Sequence, residues 1–196
     1  MPSERASLTV GIFVGGRGRR LGGVDKGKLR LANGETLAGR LVARCRAAVP
    51  DAPLVLVGAA DAYAELGLPA LADAPPGIGP LGGLRALVLH ARAQGHAHAL
   101  ALACDLPYLE APLVARLATE APRASLLAPR PGEFWEALVA RYAVDALDAV
   151  DAAMLAGERA LQAVIARLGE RAVALDVNEH ERAELRDWDE PGDAPG

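Results

Sequence analysis

The sequence predicts a three-layer α/β/α fold around a mostly parallel sheet, and three observations predict it. Short apolar β runs alternate with stretches of helical period along the 196 residues. The run from Ala99 to Ala103 is apolar throughout, as a central parallel strand covered on both faces requires. No repeat or internal linker breaks the alternation, so residues 1–190 are expected to form a single domain and Pro191 to Gly196 a flexible tail.

Each element has its own signal. Leu8 to Val14 reads as a buried strand. Leu37, Leu41, Val42 and Cys45 share one helical face, with Thr36 as N-cap. Leu54 to Val57 is a second strand, and Leu84, Leu87, Val88 and Ala91 repeat at helical spacing. After the Ala99–Ala103 strand, Leu113, Val114 and Leu117 begin a helix near Ala111. Ser125 to Ala128 and Glu136 to Tyr142 read as strands, Leu161, Val164, Ile165 and Leu168 as a helix, and Ala172 to Val177 as a last strand.

Composition narrows the function. Hydrophobic residues make up 52% of the chain and aromatics only 4%, so the core is built from Leu, Val and Ala. A net charge of −4 excludes a general nucleic-acid binder, which needs a basic surplus. No signal peptide is expected at the start, and no apolar run reaches the ~18 residues of a membrane span. Cys45 and Cys104 lack metal-ligand spacing and suit a reducing cytoplasm.

In open α/β sheets ligands bind beyond the carboxyl ends of the strands, and three loops there carry chemistry. The stretch from Phe13 to Leu29 holds six glycines and five cations (Arg17, Arg19, Arg20, Lys26 and Lys28) against one acid, Asp25. Glycine permits close backbone approach, free N–H groups cradle phosphate oxygens, and the cations complete a triphosphate site. Gly22 to Lys28 fits the P-loop spacing, but Leu29 stands where the Mg²⁺-ligating hydroxyl belongs. Leu29-Arg30-Leu31 then alternates and meets the Asn33-Gly34 turn instead of opening a helix, so the P-loop is rejected. The dinucleotide fingerprint fails as well, because Leu21 follows Gly16-Arg17-Gly18-Arg19-Arg20.

The second loop, Leu71 to Gly83, leads into a helix. Gly82 and Gly83 at its start are expected to leave backbone N–H groups open to a ligand and let a planar base lie on the backbone. Asp73 would accept hydrogen bonds from ribose hydroxyls or a base edge. A rigid turn without a ligand accounts for this loop equally well. In the third loop Asp105 follows the all-apolar strand directly. A carboxylate there needs a partner, and Mg²⁺ bound jointly with substrate phosphates is a natural one. His96 and His98 have no metal partner nearby and read as surface or strand-edge residues, and His90 reads as structural within a helix. Cys104 reads as a small buried side chain, and Trp135 as either a cleft-lining or a core residue.

Together, in this order, the loops resemble the nucleotidyltransferases of the nucleotide-diphospho-sugar-transferase type, and within them the molybdenum cofactor guanylyltransferases. The residues carrying the resemblance are Gly15-Gly16, Arg20-Leu21-Gly22, Gly23-Val24-Asp25-Lys26-Gly27, Gly79-Pro80-Leu81-Gly82-Gly83 and Cys104-Asp105-Leu106-Pro107. The resemblance implies a Rossmann-like mixed sheet with a nucleotide-binding N-terminal half and an acceptor-binding C-terminal half. It also implies GMP transfer from GTP to the terminal phosphate of molybdopterin, with Mg²⁺ as cofactor. On it, Phe13, Val14, Gly15, Gly16, Lys26, Asp73, Gly82 and Asp105 meet the nucleotide, Asp105 holds the metal, and Lys26, Arg20 and Asp105 are the catalytic groups. Molybdoenzyme-specific chaperones are implied partners, and a monomer or weak homo-oligomer is expected.

The sequence departs from that pattern in places. Gly58-Ala59-Ala60-Asp61 lacks the family's Asn, and Glu133-Phe134-Trp135-Glu136 replaces its His-Pro region. Asn178-Glu179-His180 keeps only the first of two Asn. Two alternatives follow: a related transferase using CTP or another phosphorylated acceptor, and a non-catalytic nucleotide-binding accessory protein. Val14-Gly15-Gly16, where the CTP-using relatives read A-A-G, favours GTP.

Overall fold

Leu8–Val14 (β1) is buried along almost its whole length, with successive side chains divided between two faces of a sheet. Val10, Ile12 and Val14 enter one core, while Phe13 packs against the other. This computed structural model describes residues 7–14, 17–18, 24–58 and 60–186. After β1 come β2 (Arg17–Gly18), β3 (Val24–Asp25), α1 (Leu37–Ala48), β4 (Leu54–Gly58), β5 (Ala70–Leu71), α2 (Pro80–Ala93), β6 (His98–Ala103) and α3 (Ala111–Thr119). The chain continues through β7 (Leu126–Pro129), β8 (Val139–Ala143), α4 (Leu147–Leu155), α5 (Leu161–Leu168), β9 (Ala172–Leu175) and α6 (Glu179–Glu184).

A seven-stranded sheet runs in the order β5-β4-β1-β6-β8-β7-β9, with β2 and β3 forming a separate two-stranded ribbon. The first four strands are parallel, β8 is antiparallel to both its neighbours, and β7 pairs parallel with β9. The mostly parallel mixed sheet expected from the sequence is therefore present. Residues from α1 and α3 pack on one face, with Leu41, Cys45, Leu113 and Leu117 against Val10, Ile12 and Leu100. Residues from α2, α4 and α5 cover the other, with Leu84, Leu87, Val150 and Ile165 against Val55, Val57 and Ala101. Among the described residues no helix is long and apolar enough to cross a membrane.

Local chemistry explains the main boundaries. The Thr36 hydroxyl accepts from the Gly39 amide at 3.1 Å and caps α1 as expected. Gly11 lies under α2, where a Cβ would sit 2.5 Å from Leu87, so the helix approaches the sheet closely because that side chain is missing. Arg141 on β8 is fully buried and donates to the carbonyls of Leu117, Ala118 and Ala121 at 3.2, 3.1 and 2.6 Å. It thereby completes the carboxyl end of α3, whose last carbonyls have no partner within the helix.

Some boundaries differ from the sequence reading. The strand expected from Glu136 starts at Val139, because the Val139 amide turns back to the Glu136 carbonyl at 2.9 Å. The last strand ends at Leu175 instead of Val177. The sequence reading misses α4. Its core positions include Ala149 and Ala153, which bury well but produce a weak apolar period. The Asp187–Glu190 acidic run and the tail lie outside the described residues.

Candidate active site

Strand register brings three carboxyl ends together. Val14 pairs with Gly58 across β1 and β4, and Phe13 with Ala103 across β1 and β6. A cleft of about 360 Å³ opens at this edge. Phe13, Val14, Gly58, Ala103 and Asp105 form its floor, with Lys26, Asp73 and the start of α2 around it. This is where the binding rule for open α/β sheets places a ligand.

The basic turn and the third loop meet in this cleft. Lys26 Nζ donates to Asp105 Oδ2 at 3.0 Å, although the residues lie 79 positions apart. Their side chains are 14% and 22% exposed, so the pair is reachable from the cleft yet only partly hydrated. Lys26–Lys28 forms a single 3₁₀ turn, and Arg30 bridges to Thr36 across the Asn33-Gly34 turn. This backbone is not a P-loop entering a helix, in agreement with the missing hydroxyl at Leu29. Gly15, Gly16 and Arg20 lie outside the described residues, as do Arg19, Leu21, Gly22 and Gly23.

The second loop supplies a wall. Burial raises the Asp73 carboxyl above the ordinary carboxylate range. A Cβ on Gly83 would meet Val57 at 2.8 Å, Phe13 at 2.9 Å and Asp73 Oδ1 at 3.2 Å, so Gly83 lets α2 close against the cleft's edge. The expected open amide at Gly82 is corrected by the structure, since that N–H donates to the Gly79 carbonyl at 3.0 Å. Gly82 is buried, and a Cβ there would lie 2.5 Å from the Pro75 carbonyl oxygen. It shapes the loop from behind, while Gly79 and Pro80 line the cleft.

Residues given no site role in the sequence analysis complete the picture. Gly58 has φ +103°, and a Cβ there would meet the Val14 carbonyl oxygen at 2.5 Å, so this strand end needs a glycine. Leu138 forms part of the cleft wall. Tyr63, almost fully buried, donates from its hydroxyl to Asp25. Nothing in the apolar period singles these residues out, because each acts through a tertiary contact. Asn178 accepts from the Glu181 amide at 3.0 Å and caps α6, and the His180 side chain is 84% exposed. Trp135 packs against the α2-side core, with Arg130 5.3 Å from its ring centroid.

Cys104 is buried, and its thiol is pushed up to about 12 by burial and then by the Asp105 and Asp25 charges. It remains a thiol at neutral pH, as expected of a small core side chain. The donor set suits a hard cation only in part. Asp105 offers carboxylate oxygens in the cleft, and no cluster of three ligating side chains occurs among the described residues. A cation held there would take its remaining ligands from phosphate and water, which is how Mg²⁺ is commonly bound.

Known proteins share this architecture. A crystal structure of molybdopterin-guanine dinucleotide biosynthesis protein A from Archaeoglobus fulgidus superposes with a TM-score of 0.74 at 24% identity, covering 95% of this chain and 94% of that one. A 2-C-methyl-D-erythritol 4-phosphate cytidylyltransferase from Thermus thermophilus does so at 0.66 and 19%, covering 96% and 95%. These likenesses establish the fold. In sequence, a molybdenum cofactor guanylyltransferase of Pseudomonas fluorescens is 37% identical over 175 residues, 86% of this chain and 85% of the relative. One of Pseudomonas syringae pv. tomato is 32% identical over 188 residues, covering 92% and 91%. The family model described as MobA-like NTP transferase domain matches residues 10–173, and the chain belongs to that family.

Proposed function

We propose that this chain transfers GMP from GTP to the terminal phosphate of molybdopterin and releases pyrophosphate. The observation that carries the reading is the 3.0 Å approach of Lys26 to Asp105 in the cleft at the strand ends. A cation and a metal-competent carboxylate on one polyphosphate path are what nucleotidyl transfer needs. The names of the relatives supply the nucleotide and the acceptor.

An acceptor phosphate oxygen attacks the α-phosphorus in line, the bond to the β-phosphate oxygen breaks, and pyrophosphate leaves on the opposite side. The acceptor phosphate is already ionised at neutral pH, so no general base is required. Repulsion between anions and their positioning are the obstacles. Lys26, with Arg20 from the same basic segment, offsets charge on the α-phosphate and the departing pyrophosphate. Asp105 would hold Mg²⁺, which when bound neutralises phosphate charge. Phe13, Val14, Gly15, Gly16 and Asp73 are assigned to the nucleotide, with Gly82 shaping the loop behind it. Buried free thiols at Cys45 and Cys104 accord with a cytoplasmic setting.

The test is pyrophosphate release by the purified chain supplied with Mg²⁺, molybdopterin and either GTP or CTP. Release with GTP that depends on molybdopterin is expected. Release with CTP alone, or GTP binding without release in the presence of acceptor, overturns the reading.

A further inference from the structure

One buried tyrosine touches the chain on both sides of Lys26. Tyr63 lies in the segment after β4 and is 1% exposed. Its hydroxyl donates to the Asp25 carboxylate, and it belongs to the same buried cluster as Cys104. Its ring covers Gly27 so closely that a Cβ there would lie 2.5 Å from Tyr63 Oη, 2.9 Å from Cε1 and 3.0 Å from Cys104 Sγ. Lys28 Nζ sits 5.9 Å from the same ring's centroid.

These contacts bracket Lys26. Asp25 before it and Gly27 after it are both held by Tyr63, and the side chain between them reaches Asp105. Asp105 is bonded in sequence to Cys104, whose thiol closes on Gly27 from beside the same tyrosine. A lysine on a free glycine-rich turn would sample many positions, and ordering it would cost entropy at each turnover. Gly27 matches this arrangement, because any side chain there would displace the tyrosine.

We infer that Tyr63 is a positioning residue that sets Lys26 against Asp105, by tying the basic turn to the end of β6. The inference rests on the proposed transfer only for its kinetic consequence. Two variants test it, Tyr63→Phe, which keeps the ring and removes the hydroxyl, and Gly27→Ala, which pushes on the same contact from the other side. In transfer assays kcat is expected to fall about 10- to 100-fold in Tyr63→Phe, while KM for GTP moves less than about twofold. In crystals of either variant the Lys26–Asp105 pair is expected to separate beyond hydrogen-bond range, with the sheet unchanged. A variant that keeps the 3.0 Å contact overturns the inference, whatever its activity. Should the wild type show no transfer while the variants still lose the contact, the proposed function fails and the positioning role stands.

Discussion

Lys26 and Asp105 meet over a distance that no local pattern encodes, yet each is identifiable from its own loop. Lys26 stands out because five cations crowd a short glycine-rich run, and Asp105 because a carboxylate follows an apolar strand. Local chemistry is enough to identify such groups, since charge beside a buried strand end needs a partner. Tyr63 is not legible in the same way, because its contacts to Asp25 and Gly27 depend on how the chain returns after β4. The Gly82 amide is misread for a similar reason: the turn from Gly79 closes on itself. At this scale Lys26→Ala and Asp105→Ala are each expected to lower kcat by about 10²–10³, the usual cost of losing one preorganised charged group. Thermal unfolding of both variants is expected to stay cooperative, which separates a catalytic loss from misfolding; full turnover in either would contradict the assigned role.

Elements are read most securely where large aliphatic residues recur. Leu41, Val42 and Cys45 mark α1, and Leu161, Val164, Ile165 and Leu168 mark α5, whereas the alanine-rich α4 leaves too weak a period to see. Arg141 binds elements together from inside the core. Replacing it with Met leaves the carbonyls at the end of α3 without a donor, with an expected cost of about 3 kcal/mol. For a domain of this size that lowers the thermal midpoint by roughly 6–12 °C, measurable by calorimetry. His98, beneath the same clasp, has a buried Nδ1 without a hydrogen-bond partner among the described residues. Burial, and then the Arg141 charge, hold its pKa below the ordinary value. Well above about pH 6.5 the imidazole is neutral in both folded and unfolded chains and has no effect. As pH falls below that, the unfolded chain takes up the proton first, so stability declines until the lowered folded value is passed. The midpoint is expected to drop as pH falls through about 6.5, and to drop less in His98→Gln. An identical pH dependence in that variant would remove His98 as the cause.

For the whole molecule, sheet register does what no single loop does. Pairing Val14 with Gly58 and Phe13 with Ala103 aligns three strand ends, so loops far apart in sequence share one cleft. The fold class is legible because alternation and an all-apolar central strand leave few topologies open. The antiparallel insertion of β8 is not, since a strand's direction leaves no mark in its own pattern. Lys26 and Asp105 are assigned to one polyphosphate. A crystal structure with Mg²⁺ and a non-hydrolysable GTP analogue decides this. The expected result is Mg²⁺ on Asp105 and a phosphate oxygen within hydrogen-bond distance of Lys26 Nζ, with the nucleoside beside Asp73. Triphosphate bound away from this cleft, or bound there without contact to either residue, would contradict it.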